Sequence, residues 1–363
     1  MSNVTPSTLE PLLPTDVALQ RLVYLVGPVR GGTTLMQMVM NLDPRALVLP
    51  KVTHFMQNVW PYRRKVHERL LRQIIRLGPT WDQKAIDERL NREQRAEFAR
   101  IVNEAFASRD LASLYKLLPT AYALSPQFMK QPANIVCWQD KSNDWRHFGA
   151  IARAFPQSRF IFLIRDPRSV VLSGAGRMAL KAGETMPSLK PANIVAMSLY
   201  WRLLAQRCLD FAHRHPERSR LVRYEDFLAE PAKTLQGLFC FTSGESPALA
   251  DIEIGLSQVG GGSTLDPGET YSGISRAPQE RWRTAMTQEQ ADYVAQVTAP
   301  TATRFGYDIR RSSNTRDLLA PFRAVMGHGS AVPNVAKLMI EEAYELLLHT
   351  PDQSVTDFKM QTN

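Results

Sequence analysis

Cysteine is scarce in this chain, and long apolar runs are absent. Cys137, Cys208 and Cys240 are the three cysteines in 363 residues. Three scattered thiols exclude a disulfide framework and a CxxC zinc site, and they fit a reducing compartment. No apolar run approaches the ~20 residues that cross a bilayer. The opening stretch, MSNVTPSTLEPLLPTDVALQ, has no basic segment followed by an apolar one, so no signal peptide is expected. The expectation is a cytoplasmic protein with no transmembrane segment, rather than a membrane-anchored Golgi-type enzyme. Lysine is also sparse, at 11 of the 44 basic residues, the other 33 being arginine.

What is present is globular in character. The chain is 44% hydrophobic and 22% charged, which excludes a disordered or collagen-like polymer. Its length suits one large α/β domain or two smaller ones. The formal net charge is +9. An arginine-rich excess favours an anionic ligand, because guanidinium pairs with phosphate and carboxylate in two-point fashion. Nucleic acid is the competing partner. The charge is spread along the chain with no helix-turn-helix, zinc or RNP-type motif, so no specific nucleic-acid role is expected.

Apolar runs alternating with amphipathic segments predict a parallel α/β sheet. Strands are expected at Arg21–Val26, Ile135–Gln139, Arg159–Ile164 and Arg220–Tyr224. Helices are expected at Thr33–Leu42, Asp144–Phe155, Asn193–His213, Ala232–Phe241 and Thr287–Phe305. Residues 1–20 read as a flexible lead-in and 21–310 as the main domain. A helical insertion is expected at about 60–133. Residues 311–363 read as an extension with one helix, Ala336–Leu348, either a cap or an element of a possible homodimer.

Two motifs carry chemistry. The first, Gly27-Pro28-Val29-Arg30-Gly31-Gly32-Thr33-Thr34-Leu35, lies between a strand and a helix. Glycines let backbone N–H groups approach a phosphate, and the helix N-terminus adds partial positive charge. A nucleotide-triphosphate loop would carry lysine directly after Gly32. Thr33 stands there instead, and the cation is Arg30, inside the loop. The second motif runs from Arg159 through Arg165-Asp166-Pro167-Arg168 to Ser173. Arg165 ends an apolar strand, where open α/β sheets bind ligands. Ser173 and Arg177 lie four apart on the next helix and share a face. With Arg165 they make a second anion pocket, while Arg168 is expected as a solvated turn residue.

Together these segments resemble the PAPS-dependent sulfotransferase superfamily. GPVRGGTTL resembles its 5′-phosphosulfate loop, and FIFLIRDPRSVVLS resembles its 3′-phosphate motif with the family spacing from Arg165 to Ser173. WQDKSND (138–144) resembles a further segment, with Asn143 where proline is usual. LVRYEDFLAEPAKTLQGLFCF (221–241), RWR (281–283) and FGY (305–307) resemble later ones. The resemblance covers roughly residues 21–310 and is nearest in layout to the carbohydrate, tyrosylprotein and bacterial branches.

The resemblance implies a P-loop-type parallel sheet and the donor PAPS, with no metal required. It implies that Arg30, Gly31, Gly32, Thr33 and Thr34 hold the 5′-phosphosulfate. Arg165, Ser173 and Arg177 would hold the 3′-phosphate, with Tyr224 near the adenine and Arg276 reaching in from a later loop. Arg30 and Lys141 would stabilise charge growing on the leaving oxygen. Related enzymes place a glutamate about twenty residues after the loop cation, but 49–55 reads LPKVTHF, with no acid. His54 is the base-type side chain there, either the general base or a structural histidine on an entry loop; His147 and Asp140 are lesser candidates, and Asp140 either shares that role or only orients Lys141. The acceptor is a hydroxyl on a carbohydrate, a small molecule or a carrier-bound intermediate. A P-loop kinase or nucleoside triphosphatase, and a non-catalytic anion- or glycan-binding protein on the same scaffold, remain alternatives. Residues 60–130 and the glycine-rich loop 255–280, a lid candidate, are expected to line the acceptor site.

Overall fold

The computed structural model describes residues 8–309, apart from 66, 77–80, 182–188, 190, 263–269, 277 and 278. Its centre is a five-stranded sheet formed by β1 (Leu22–Val26), β2 (Ala46–Val48), β3 (Cys137–Ser142), β4 (Arg159–Ile164) and β5 (Ser219–Arg223). The order is β2-β3-β1-β4-β5, and every pairing is parallel. β1 is buried throughout and β4 at all but its first residue, which is why both are continuous apolar runs: helices cover both faces.

The helices, in chain order, begin with α1 (Asp16–Gln20), α2 (Thr33–Met40) and α3 (Phe55–Asn58). The inserted helices follow as α4 (Glu68–Arg76), α5 (Gln83–Arg89), α6 (Arg92–Ser108) and α7 (Leu111–Leu124). Then come α8 (Phe148–Ala154), α9 (Pro167–Lys181), α10 (Pro191–Arg214) and α11 (Tyr224–Ala229). The last are α12 (Pro231–Ser243), α13 (Leu249–Ser257), α14 (Trp282–Ala285) and α15 (Gln288–Ala302). A small antiparallel pair, β6 (Gly260–Gly262) with β7 (Thr270–Ser272), lies before α14. Among the described residues no helix is long and apolar enough to cross a membrane.

Strand side chains alternate between faces, and this sorts the core into two layers. Tyr24, Trp138, Phe160 and Phe162 face a cluster built with α7, α8, α10 and α15. Val23, Leu25, Ile161 and Leu163 face a second cluster built with α2, α11, α12 and α13. The same alternation separates Asp140 from Lys141. Asp140 pairs with Tyr24 in register and points to the inserted helices, whereas Lys141 pairs with Leu25 and points to α2.

Several boundaries differ from the sequence expectation. Residues 8–20 are not a flexible lead-in: Leu9 is fully buried, and α1 packs Ala18 and Leu19 into the core. β2 was not expected, because three residues between Pro44 and Pro50 leave no period to read. β3 runs past Gln139 to Ser142, because Asp140 finds buried partners that keep a charged residue in the strand. α8 starts at Phe148 rather than Asp144. The Asp144 carboxylate accepts the Arg146 N–H at 3.0 Å and holds a turn ahead of the helix. The arginines of the insertion are partly spent in i,i+4 pairs, Arg72 with Glu68 and Arg100 with Glu104. The expected helix Ala336–Leu348 and the centre of the lid candidate, 263–269, lie outside the described residues.

Candidate active site

The carboxyl ends of β1, β3 and β4 meet at one crevice, where an open α/β sheet reverses its winding. The loop after β1 is shaped by close approaches. Gly31 N–H donates to Pro28 O at 2.8 Å, closing a tight turn, and Arg30 takes a left-handed φ of 67°. Gly32 follows at φ 90°, and a Cβ there would stand 2.3 Å from Cε2 of Tyr224. Only glycine fits that position. The loop then runs into α2, whose first amides, at Thr33 and Thr34, have no carbonyl four residues back within the helix. These donors and the helix dipole face the crevice mouth, an arrangement suited to an anion.

Three guanidinium groups gather over this loop. Arg30 Nε donates to Ser173 Oγ on α9 at 2.9 Å. Arg165 Nη1 donates to the Arg30 carbonyl at 3.3 Å, and its guanidinium lies 4.7 Å from the centre of the Tyr224 ring. Burial, and then repulsion from Arg177 and Arg165, hold the Arg30 pKa below the ordinary arginine value. A protein that crowds three like charges is stabilised by an anion placed among them.

The turn between β4 and α9 is braced from below. Arg168 donates twice to Asp166, Nε to Oδ1 at 3.0 Å and Nη2 to Oδ2 at 2.6 Å, and stacks 4.0 Å from the Trp282 ring centre. The expected solvated Arg168 is therefore corrected: a carboxylate and an indole hold it, and it ties α14 to the turn. The same pair occupies Asp166, the carboxylate a kinase reading would need for magnesium. Glu225 accepts the Asp166 N–H at 3.0 Å and the Tyr307 hydroxyl at 2.7 Å. Ser169 Oγ donates to Gln279 O at 2.8 Å, a second tie to the later chain.

Across the crevice, Lys141 Nζ donates to Thr34 Oγ1 at 2.8 Å, so the end of β3 meets the start of α2. Burial lowers the Lys141 pKa, and Asp140 partly offsets this. Asp140 is 1% exposed. Its Oδ2 accepts from Tyr115 on α7 and from Thr53, both at 2.5 Å, and its Oδ1 accepts the Lys141 N–H at 2.8 Å. Its pKa is raised by burial, against the pull of these donors. Thr53 precedes His54, so the same carboxylate fixes the loop that carries the exposed imidazole. His147 stands apart, with Nε2 3.7 Å from Asp144 Oδ2 and a pKa lowered chiefly by burial.

A sequence model described as the sulfotransferase family matches residues 23–244, more than half of the chain. The chain belongs to the sulfotransferase family. Among solved structures it is similar to the sulfotransferase domain from the curacin biosynthetic pathway. That match has a TM-score of 0.50 and 19% identity, over 80% of this chain and 99% of that one. It is similar to the same degree, with a TM-score of 0.50 and 19% identity, to the sulfotransferase domain of the Synechococcus PCC 7002 olefin synthase, over 82% of this chain and 97% of that one. No curated protein matches the chain in sequence.

Within this sulfotransferase fold, the sequence-predicted site residues fall into three groups, one of them His54 alone, on the loop before α3 that Thr53 and Gln57 tie to Asp140 and Asn143. Arg30, Gly31, Gly32, Thr33, Thr34, Lys141, Arg165, Ser173, Arg177 and Tyr224 converge on the crevice. Arg276 is engaged elsewhere: its guanidinium donates to Leu228 O at 3.0 Å and Ala229 O at 2.9 Å, capping the C-terminus of α11. Tyr115, Tyr200, Gln57 and Glu225 were not singled out, yet each holds a segment of the site. Glu225 and Tyr307 lie inside the quoted segments VRYEDF and FGY. Tyr115, Tyr200 and Gln57 had no sequence signal, because their partners are distant in the chain.

Proposed function

We propose that this sulfotransferase moves a sulfuryl group from PAPS to an acceptor hydroxyl, releasing PAP. The observation that carries the reading is the joining of two motifs through Arg30, which reaches from the glycine loop to Ser173 while Arg165 reaches back to the Arg30 carbonyl. A donor with a phosphosulfate at one end and a 3′-phosphate at the other suits a cradle with cations at both. The residues fit that group: the loop keeps its close turn over Tyr224 only with glycine at 32, and the crowded guanidiniums favour an anion.

PAPS supplies, when bound, an electrophilic sulfuryl group with a good leaving oxygen. Arg30, Gly31, Gly32, Thr33 and Thr34 bind its 5′ end, and Lys141 lies beside Thr34 to neutralise charge there. Arg165, Ser173 and Arg177 bind the 3′-phosphate, and Tyr224 supports the nucleotide from beneath Gly32. Arg276 acts on the donor only if it leaves its cap on α11. His54 accepts the proton of the acceptor hydroxyl; Asp140, with its oxygens taken, orients Lys141 and Thr53 instead. The cations already in place supply the electrostatic stabilisation that a metal provides in phosphoryl transfer.

The test is calorimetric binding of PAP and of ATP, with and without magnesium, to the wild type and to Arg165→Ala. Metal-independent PAP binding that exceeds ATP binding and is weakened roughly 10- to 100-fold in the variant is the expected result. Turnover of labelled PAPS against a panel of hydroxyl acceptors follows. Preference for magnesium-ATP, or PAP binding indifferent to Arg165, overturns the donor assignment. Tight PAP binding with no turnover of PAPS, with or without acceptor, leaves a binding protein.

A further inference from the structure

His54 stands at the start of α3 in a left-handed turn, φ 52°, and its Nδ1 lies 2.7 Å from Gln57 Oε1. The other end of the same carboxamide is also engaged: Gln57 Nε2 donates to Asn143 Oδ1 at 3.3 Å. A carboxamide has one end that donates and one that accepts. With Nε2 turned to Asn143, the oxygen is the end that meets the ring. An oxygen acceptor requires the ring nitrogen facing it to carry the proton. Nδ1 then holds the hydrogen, and Nε2 keeps a lone pair. Asn143 is anchored in turn, since its carbonyl accepts the Tyr200 hydroxyl at 2.9 Å. That hydroxyl accepts the Val29 N–H of the glycine loop at 3.1 Å. A line of hydrogen bonds therefore runs from the glycine loop to the imidazole.

We propose that Gln57 is a positioning residue that holds His54 in its Nδ1–H tautomer, leaving Nε2 to take the proton of the acceptor hydroxyl. The inference rests on the reading of His54 as the base. The proton passes from the hydroxyl to Nε2, and the oxygen keeps the electron pair with which it attacks sulfur. The loop 49–55 holds no carboxylate, and both oxygens of nearby Asp140 already accept hydrogen bonds. Two places where the sequence departs from the family pattern, the missing acid of 49–55 and Asn143, are thereby joined. A proline at 143 would have no side-chain oxygen for Gln57.

The experiment uses the full chain with bound PAP. Nitrogen-15 spectra of the His54 ring, assigned with His54→Gln, report the tautomer directly. The wild type is expected as the Nδ1–H tautomer of the neutral ring. Gln57→Leu releases the ring to a mixture of tautomers. Gln57→Glu, whose carboxylate can only accept, restores Nδ1–H. Release of PAP from PAPS, with water as acceptor, is the second readout. It falls about 10- to 100-fold in Gln57→Leu, within what a general base contributes, and recovers in Gln57→Glu. The affinity for PAP stays unchanged in both variants. An Nε2–H ring in the wild type, or a ring unchanged by Gln57→Leu, overturns the proposal. If His54→Gln releases PAP at the wild-type rate, the base reading itself falls. If His54→Gln is slow while Gln57→Leu is not, the base stands and the role of Gln57 falls.

Discussion

The two sides of the crevice are built by different means. On the donor side the backbone does most of the shaping: a left-handed Arg30, a glycine pressed on Tyr224, helix amides, and arginines gathered from β4 and α9. On the acceptor side, side chains hold side chains: Asp140 with Tyr115 and Thr53, and Gln57 with His54 and Asn143. The donor side suits a ligand of fixed charge and length. The proposed acceptor side is held through Asp140, a buried residue of β3 itself, so its polar contacts also support the sheet. On the proposed reading, donor binding rests on backbone geometry and acceptor positioning on side-chain contacts.

The largest effect expected from this contrast is at Gly32. Gly32→Ala puts a methyl into the Tyr224 ring and a non-glycine residue at φ 90°, costs that together reach about 3 kcal/mol or more. PAP affinity should fall by about 100-fold or more in calorimetry. Retained affinity would mean that the loop is softer than its close approach implies. Next is Arg165→Ala, which removes charge-assisted contacts worth about 1.5–3 kcal/mol and should weaken PAP roughly 10- to 100-fold.

On the acceptor side, Tyr115→Phe should leave PAP binding intact but lower stability by about 1.5–3 kcal/mol, because a buried carboxylate loses a donor. Denaturant melts of the two proteins check this. A loss of PAP affinity in that variant would break the division between the two sides. The smallest effect concerns pH. Burial disfavours the Lys141 ammonium, so its charge is lost at lower pH than that of an ordinary lysine, whose pKa is ~10.4. PAPS turnover should decline as pH rises toward that range, and Lys141→Arg should shift the decline upward.

The glycine-loop side of the crevice was largely legible in the sequence because its determinants are local. The glycine loop lies between strand and helix within nine residues, and the Arg165–Ser173 spacing fits a strand end and one helix face. β4 was bounded correctly from its apolar run alone. On the proposed acceptor side His54 and Asp140 were singled out, but the partners that hold them were not legible. Tyr115 meets Asp140 across 25 residues, Gln57 meets Asn143 across 86, and Tyr200 meets Val29 across 171. No periodicity reports such pairings. Arg168 was misjudged for the same reason: Asp166 lies two residues away, but the Trp282 that completes its setting arrives far later in the chain.

The brace beneath the β4–α9 turn bears on how the molecule is made. Tyr307 donates to Ile164 O at 3.1 Å, across 143 residues, and to Glu225 across 82. During synthesis the glycine loop and both arginines leave the ribosome well before Trp282 and Tyr307 do. Long-range closures of this kind slow folding and expose unfinished surfaces. A nascent chain halted before residue 282 would hold every residue of the two principal motifs proposed to bind the donor, yet lack the indole and the phenol that steady them. PAP should therefore act as a late folding ligand, rescuing full-length chains from aggregation while giving little help to chains cut short of Tyr307.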